Sequence, residues 1–366
     1  MSTTTRRRHS TTDDEHGARR TSRLVQFLDT EVSWTTPVVL TVVALADYAL
    51  LGAMGFGRDS IEALIMLVAV LGLYGYSGTT GIASFGHVGY MAVGGYVATL
   101  VSLPPYVKAY RLTGLPGWLA DMELDPYAAL AVAFVAGVVA AALFGLLIWR
   151  LSGLAAGIST LAFLLVIYSV TSGWEDVTGG RGAVPGVPAI RAESTAVVLA
   201  IAAIWVTTLF ARTKAARLAR AAREDEAAAH AIGARVYLGR WIAMVYSGGL
   251  MAVAGALYVY FVGSISPDFF YISMMFTLLT FLVVGGMTSI TGAVIGTMLV
   301  QLLRELLEPL DSGFDVAWIS FEGRPGLRFV VLGLLTLVVL TRRPGGVLNG
   351  LELRLPRRTS DKEVAR

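Results

Sequence analysis

The sequence has no cysteine among its 366 residues, which excludes disulfides, thiol chemistry and thiolate metal sites. It also contains no G-x-x-x-x-G-K-[ST] loop, so the chain lacks the usual means of holding ATP phosphates. Charged residues make up only 15% of the chain, far fewer than in soluble domains. Residues 1–33 carry arginines with no apolar block behind them, which is not the pattern of a secretory signal peptide.

Apolar residues, by contrast, form 55% of the chain, and the mean hydropathy is +0.67. They fall into blocks of about 20 residues, the length of helix that crosses a bilayer. We therefore predict an all-α, polytopic integral membrane protein with about ten transmembrane helices (range 8–11), some of them short or broken. The predicted spans are 36–54, 61–77, 79–101, 127–149, 154–172, 195–211, 240–262, 272–287, 290–303 and 326–341.

The basic residues, nearly all of them arginine, are concentrated in alternate loops, as the positive-inside rule expects of cytoplasmic segments. An even number of spans places both ends of the chain on the same side. We therefore predict a multi-pass protein of the cell membrane with both termini in the cytoplasm. Its predicted parts are a disordered basic tail (1–33), a transmembrane domain (34–345) with a cytoplasmic segment at 212–239, and a second cytoplasmic tail (346–366).

The segment 74–96, YGYSGTTGIASFGHVGYMAVGGY, combines seven glycines with a histidine inside an apolar stretch. Glycine-rich backbone inside a membrane allows either tight helix packing or a discontinuous helix that lines a translocation pathway. His87 is either a structural hydrogen-bonding group or part of that pathway. Asp47 is a second ionisable group within a predicted span, and we expect it to pair with Arg58. The predicted pathway residues are Gly75, Ser77, Gly78, Ser84, Gly86 and His87.

The longest predicted cytoplasmic segment between two spans is 213–241, TKAARLARAAREDEAAAHAIGARVYLGRW. Good helix formers dominate it as far as His230, Arg220 and Glu224 have i, i+4 spacing, and Gly233 is placed as a helix stop. A short helix of this kind either docks a partner or is a solvated connector that only sets the topology.

Three blocks of sequence resemble the permease subunits of the branched-chain amino-acid ABC transporter family, the LivM/LivH-like group that includes urea and amide permeases. The resemblance covers about residues 60–345. Its blocks are GYSG…SFGHVGYMAVGGY, then RAAREDEAAAHAIG followed by SGGLMAVAGALYVYFVGSISPDFF, then VVGGMTSITGAVIG. The chain departs from the family pattern around Gly78–Ser84, at Ala92 and at Thr288, which leaves the substrate open.

The resemblance implies that the chain forms half of the translocation pathway of an ABC importer in a bacterial inner membrane. Its implied partners are a second LivH-like permease, two cytoplasmic P-loop ATPase subunits, an extracytoplasmic substrate-binding protein and membrane lipid, without nucleic acid. ATP would be used by the ATPases, and this chain would hold no cofactor, metal or catalytic residue. The implied cargo is a small polar solute, with branched-chain or other amino acids favoured over urea and amides.

By the same resemblance, the helix around 217–232 is the element that couples the permease to its ATPases. The residues implied in this coupling are Arg220, Arg223, Glu224, Asp225, Glu226 and the helix-stopping Gly233.

Two other classes of protein explain less of the sequence. An ion-coupled secondary transporter or channel, acting without an ATPase, would use Asp47 and His87 but would leave the charged 213–233 segment without a purpose. An intramembrane serine enzyme would use Ser77 of GYSG with His87 as its base, across a glycine-rich turn. We therefore favour the permease interpretation.

Overall fold

The computed structural model describes residues 28–29, 33–188, 190, 192–231, 233–316, 319–321, 326–343 and 345–353. Helices dominate these residues. In chain order they are α1 (Thr36–Ala53), α2 (Gly57–Thr80), α3 (Val88–Ser102), α4 (Pro105–Arg111), α5 (Gly117–Ala120), α6 (Pro126–Ile148), α7 (Gly153–Gly173), α8 (Glu175–Thr178), α9 (Ala192–Ala211), α10 (Lys214–Glu224), α11 (Glu226–Ala231), α12 (Val236–Val262), α13 (Ile272–Gly285), α14 (Ile290–Leu306), α15 (Pro309–Ser312) and α16 (Leu327–Arg342).

Strands are few and short in the described chain. Three antiparallel pairs join β1 (Leu28–Asp29) to β6 (Glu352–Leu353), β2 (Val184–Pro185) to β3 (Ser264–Ile265), and β4 (Phe314–Val316) to β5 (Ile319–Phe321).

Eight helical segments of the described chain are long and apolar enough to cross a membrane: those of α1, α2, α6, α7, α9, α12, α13 and α14. The helix α3 and the apolar part of α16 are shorter. Together these ten helices lie where the ten spans were predicted, which confirms the all-α polytopic fold. The expectation of short spans is also confirmed, since α3 has 15 residues and α13 has 14.

The helix α2 lies at the centre of the bundle and is almost wholly buried, as expected of a helix that is apolar on all sides. It packs against α12, α9, α14 and α1. The hydroxyl of Ser247 on α12 donates to the carbonyl oxygen of Gly72 on α2 at 2.6 Å. Where α12 crosses α3, a Cβ on Gly255 would lie only 2.0 Å from the carbonyl oxygen of Met91. Small residues therefore let these three helices pack backbone to backbone.

The boundary between the second and third spans differs from the prediction. The helix α2 continues through Thr80, and α3 begins only at Val88. Gly75 and Gly78 lie within the continuous α2, and the rings of Tyr246 and Tyr74 pack where their Cβ atoms would be. The helix ends instead at Gly81, whose φ of +72° is the left-handed conformation that glycine adopts at helix ends. The turn between the two helices is therefore residues 81–87.

The two ends of the described chain lie side by side, because β1 pairs with β6. Residues 345–353, of which 346–353 form the first part of the predicted tail 346–366, pack against the turn between α13 and α14. The rest of that tail, 354–366, lies outside the described residues, as does the predicted tail 1–33 apart from residues 28–29 and 33.

Candidate functional site

The six residues predicted for the substrate pathway lie together at the end of α2 and in the turn 81–87, and all six are buried. This turn is fastened to α7 by direct backbone contact. A Cβ on Gly86 would lie 1.6 Å from the carbonyl oxygen of Thr160, and the backbone N–H of Phe85 donates to Thr160 Oγ1 at 3.1 Å. Only a glycine at position 86 allows α7 to approach this closely.

Ser84 is the central hydrogen-bonding residue of the turn. Its backbone N–H donates to Ser77 Oγ at 3.3 Å, and its hydroxyl is hydrogen-bonded to Nδ1 of His87. The His87 ring stacks on Tyr76, with 5.1 Å between ring centroids, and contacts Tyr90 edge-on at 5.4 Å. Its Nε2 is buried and has no hydrogen-bond partner within the described chain. The structure thus pairs His87 with Ser84, not with Ser77 of the GYSG motif.

Asp47 lies apart from this cluster, on α1. No ion pair joins it to Arg58 among the residues that the structure describes. The Arg58 guanidinium instead lies over the ring of Phe261, 5.2 Å from its centroid. The predicted pairing of Asp47 with Arg58 is therefore wrong, and Arg58 makes a cation–π contact with Phe261 instead.

The charged connector between α9 and α12 forms two short helices, α10 and α11, where a single helix to His230 was expected. Asp225 causes the interruption. Its backbone is extended (φ −153°, ψ 107°), and its Oδ1 accepts the N–H of Ala228 at 2.9 Å. This is how an aspartate caps the start of a helix. Gly233 follows α11 with φ +77°, as expected of a helix stop. We call residues 214–231 the coupling segment.

The coupling segment has two different faces. Ala216, Ala219 and Ala222 of α10 are buried, and α10 packs against the first turns of α12, where Gly239 lies beside the Ala215 carbonyl oxygen. Arg217 and Glu224, on the opposite face, are exposed. One face therefore fixes the segment to the bundle, and the other carries charges available to a partner.

Arg223 connects the coupling segment to the glycine-rich end of α2. Its Nη1 donates to the carbonyl oxygen of Gly78 at 2.8 Å, and its aliphatic stem packs against Gly81. It also pairs with Glu224 at 2.7 Å, whose side chain is 74% exposed. The expected i, i+4 pair of Arg220 with Glu224 is replaced by this one, since Arg220 donates to the carbonyl oxygen of Ala211. The two groups of predicted site residues thus meet at Gly78.

Glu226 faces inward, unlike Glu224. Its two carboxylate oxygens accept from both terminal nitrogens of Arg240, on α12, at 2.9 and 2.8 Å. The Arg240 side chain is only 6% exposed. Hydrogen bonding to Arg240 lowers the pKa of Glu226 below its ordinary value. This pair fastens the start of α11 to the start of α12.

Sequence reasoning did not single out Arg240 or Glu352, the latter a buried carboxylate near the C-terminus. Arg240 is a charge at the start of a predicted span, and Glu352 is the only acidic residue between Glu322 and Asp361, and these are the signals that could have found them. In the part of the chain that the structure describes, no three His, Asp or Glu side chains gather as a metal site would require.

The fold and the site define a class of protein: a many-helix membrane subunit with a charged connector that contacts the centre of the bundle. Residues 60–340 match the family described as branched-chain amino acid transport system / permease component. The chain belongs to this family. It is therefore a permease subunit of an ABC transporter, a multi-pass membrane protein and not an enzyme.

Similar proteins carry the same description. The chain is 28% identical over 304 residues to the high-affinity branched-chain amino acid transport system permease protein LivH of Escherichia coli (strain K12), covering 75% of this chain and 88% of that protein. It is 23% identical over 350 residues to LivM of the same strain, covering 84% and 74%. LivM of Salmonella typhimurium is 22% identical over 347 residues. No solved structure matches the chain significantly.

Proposed function

We propose that this chain forms half of the pathway of an ABC importer, with a second LivH-like permease as the other half. Two cytoplasmic P-loop ATPases would hydrolyse the ATP, and an extracytoplasmic binding protein would deliver the substrate. The relatives are named for high-affinity branched-chain amino acid transport, so these amino acids are the substrates to test first. No cofactor is assigned to this chain.

The contact between Arg223 and Gly78 is the observation that carries the proposal. A connector that only set the topology would have no need of a hydrogen bond to the central helix. Here a guanidinium on α10 reaches the carbonyl oxygen of Gly78 on α2, while its neighbour Glu224 remains exposed. A partner that binds the exposed face can therefore move the end of α2 through Arg223.

The end of the bundle that carries the coupling segment also supports an orientation of the chain in the membrane. The coupling segment carries four basic residues, Lys214, Arg217, Arg220 and Arg223, and Arg212 lies just before it, which favours the cytoplasmic side. The pairing of β1 with β6 brings the two described ends of the chain together. Glu352 of β6 accepts the backbone N–H of Ile290 at the start of α14, and the turn before α14 lies against Gly78, to which Arg223 donates. Both termini are therefore assigned to the cytoplasm, beside the ATPases.

In this mechanism the ATPases grip the exposed face of the coupling segment and move it when they close on nucleotide. The movement biases the permease pair between inward-open and outward-open states. Arg217 and Glu224 would contact the ATPase, and Arg223 would transmit the motion to Gly78. Glu226 would hold the segment rigid through Arg240.

The turn 81–87 is proposed as the moving part of the pathway. It is the non-helical segment between two buried helices, and such backbone at bilayer depth is tolerated where protein encloses it or a cavity forms. His87 contributes a ring nitrogen, Nε2, that is left without a partner in this closed packing. A rearrangement of the turn would bring this nitrogen and Ser84 to the pathway.

The proposal is tested by tagging the chain, dissolving the membrane in mild detergent and identifying by mass spectrometry what co-purifies. We expect a second permease and one or two P-loop ATPases. The matched variant Glu224→Arg reverses an exposed charge and should release the ATPases while the second permease stays bound. Recovery of the chain alone, or with copies of itself only, would contradict the proposal.

A further inference from the structure

A cavity of about 380 Å³ opens between α13, α14 and α16. This volume lies within the range of small-molecule sites in proteins, about 300–1,000 Å³. The helices α13 and α14 both pack against the central helix α2, and α16 packs against α13 and α14. The cavity is therefore one helix away from the centre of the bundle, in a part of the fold that contains none of the predicted site residues.

The cavity lies toward the end of the bundle opposite the coupling segment. Arg304 of its wall, near the end of α14, contacts Glu62, near the start of α2. The coupling segment instead contacts Gly78, which lies about 24 Å further along α2 at 1.5 Å per residue. With the coupling segment in the cytoplasm, the cavity is on the extracytoplasmic side, where an imported substrate enters.

Arg304 is the charged group of the cavity wall. Its Nη1 donates to Oε1 of Glu62 at 3.3 Å, which is its only side-chain hydrogen bond among the residues that the structure describes. Its Nε is buried and has no partner in the same part of the chain. A guanidinium presents five N–H donors in a fork that matches a carboxylate. Because a buried donor without a partner is unfavourable, a ligand that supplies a carboxylate would stabilise this site.

The pairing of Arg304 with Glu62 favours a ligand that carries both charges. A simple anion would be attracted to Arg304 but repelled by Glu62, and a simple cation would meet the reverse. An α-amino acid carries its carboxylate and its ammonium on one carbon atom, so both charges can interact favourably with the pair. The two side chains are only 20% and 18% exposed, so salt screens this pair less than a surface pair.

The apolar part of the wall fits an aliphatic side chain. Phe276 and Phe281 of α13, Val300 of α14 and Leu332 of α16 line the cavity. Small-molecule sites typically combine such apolar walls with a few polar groups that fix the orientation of the ligand. A ligand with a charged or strongly polar side chain would lose its hydration here without gaining partners.

Hydroxyl groups on α13 complete the wall. Ser273, Thr277 and Thr280 line the cavity, and their spacing places them on one face of the helix. The Thr277 hydroxyl donates to the carbonyl oxygen of Ser273 at 3.0 Å, but its oxygen can still accept a hydrogen bond. These oxygens suit the N–H groups of an ammonium. A lipid tail would leave them and Arg304 without partners.

We propose that this cavity binds one α-amino acid with an aliphatic side chain during transport. Its carboxylate binds Arg304, its ammonium lies toward Glu62 and the hydroxyls of α13, and its side chain packs against the apolar wall. This inference rests on the proposed function, because it assumes that the chain imports such amino acids. The helix that carries Glu62 also carries Gly78, so a movement of the coupling segment would reach the site through α2 alone.

The first test uses photo-leucine, a diazirine analogue of leucine, on the complete transporter in lipid vesicles. After illumination, mass spectrometry maps the labelled peptides. We expect label in the parts of α13, α14 and α16 that line the cavity. Excess leucine should remove it, whereas 4-methylpentanoate and 3-methylbutylamine should not. These two competitors keep the side chain of leucine but lack its amine or its carboxylate.

The second test fills the cavity. At Gly333, in the α16 wall, a Cβ would have no atom within 4 Å, so Gly333→Leu extends into open space without a clash. It should lower both the leucine-sensitive label and the leucine uptake per ATP hydrolysed by at least about tenfold, the effect of a misfit of one methylene group in an apolar pocket. The matched control is Gly173→Leu on α7, which is equally unobstructed and should leave both unchanged.

Arg304 is tested with a pair of variants. Arg304→Gln removes the charge and should lower the leucine-sensitive label by at least about tenfold, as expected for the loss of a hydrogen bond between charged groups. Arg304→Lys keeps the charge but not the fork of donors, and should restore part of the label. A purely structural role for Arg304 would change the amount of assembled complex but not the label per complex.

Label confined to the turn 81–87, or label that leucine does not remove, would overturn the inference. Normal label and normal uptake per ATP in Gly333→Leu would also overturn it. If Gly333→Leu does not assemble, Arg304→Gln decides, and normal label per complex in that variant would overturn it. Failure of the proposed function would be seen differently, as a wild-type complex without ATP-dependent uptake, in which leucine-sensitive label would still report binding in the cavity.

Discussion

The pair formed by Glu226 and Arg240 allows a quantitative prediction for Glu226→Gln. The wild-type carboxylate makes two hydrogen bonds to a guanidinium that is almost fully buried. Hydrogen bonds to charged groups contribute about 1.5–3 kcal/mol. The Glu226 side chain is 37% exposed, so water screens part of the interaction, and we expect a loss of about 1.5–2 kcal/mol.

The measured quantity is the thermal midpoint of the purified subunit in detergent, which is the temperature at which half of the monodisperse peak is lost after heating. A loss of this size should lower the midpoint by roughly 2–4 °C for each kcal/mol. The matched control is Glu224→Gln, whose side chain is 74% exposed and which should change stability by less than about 0.5 kcal/mol. Equal midpoints for the two variants would refute the assignment of a structural role to Glu226 and of a surface position to Glu224.

The same pair predicts a pH dependence. The folded-state pKa of Glu226 lies below its ordinary value of 4.5, so the carboxylate stabilises the fold above that value. As the pH falls through the lowered pKa, the group is protonated and its contribution disappears. The difference in midpoint between wild type and Glu226→Gln should therefore narrow below pH 4.5. A constant difference at all pH values would contradict this reasoning.

Three further predictions follow from single contacts. Gly255→Ala should lower the stability of the fold by about 1–3 kcal/mol, because the new Cβ would lie 2.0 Å from the Met91 carbonyl oxygen. The control Gly173→Ala, whose Cβ would have no atom within 4 Å, should change stability by less than about 1 kcal/mol. Thermal midpoints in detergent measure both variants. Glu224→Arg should abolish ATP-driven uptake at an unchanged thermal midpoint. Lys108→Met should speed protease cleavage within 103–125, because the buried ammonium binds the carbonyl oxygens of Leu119 and Met122.

The helical membrane fold was predictable because apolar length alone identifies a membrane helix. The ten blocks in the sequence correspond to ten apolar helices, including the short α3. The end of α2 was harder to predict. Gly75 and Gly78 look like a break in the sequence, but the helix is continuous through both, and their missing side chains make room for the rings of Tyr246 and Tyr74. The contact with Tyr246 comes from a distant part of the chain and leaves no local pattern.

The membership of the candidate site stays a prediction, but the structure shows contacts among its residues that the sequence did not indicate. The charged block around Arg223 and the glycine-rich block around Gly78 were both recognised, yet their hydrogen bond joins residues 145 positions apart. Glu224 and Glu226 appear equivalent in the sequence, two residues apart on a charged helix. The helix break at Asp225 turns one outward and the other toward Arg240, and only tertiary packing decides which.

The most direct test of the account is uptake into vesicles that contain this chain, a second permease, two ATPases and the binding protein. Labelled leucine, isoleucine and valine should accumulate only when ATP is present on the side of the coupling segment, and Glu224→Arg should stop it. Accumulation that needs no ATP or ATPase, and follows an ion gradient instead, would contradict the account.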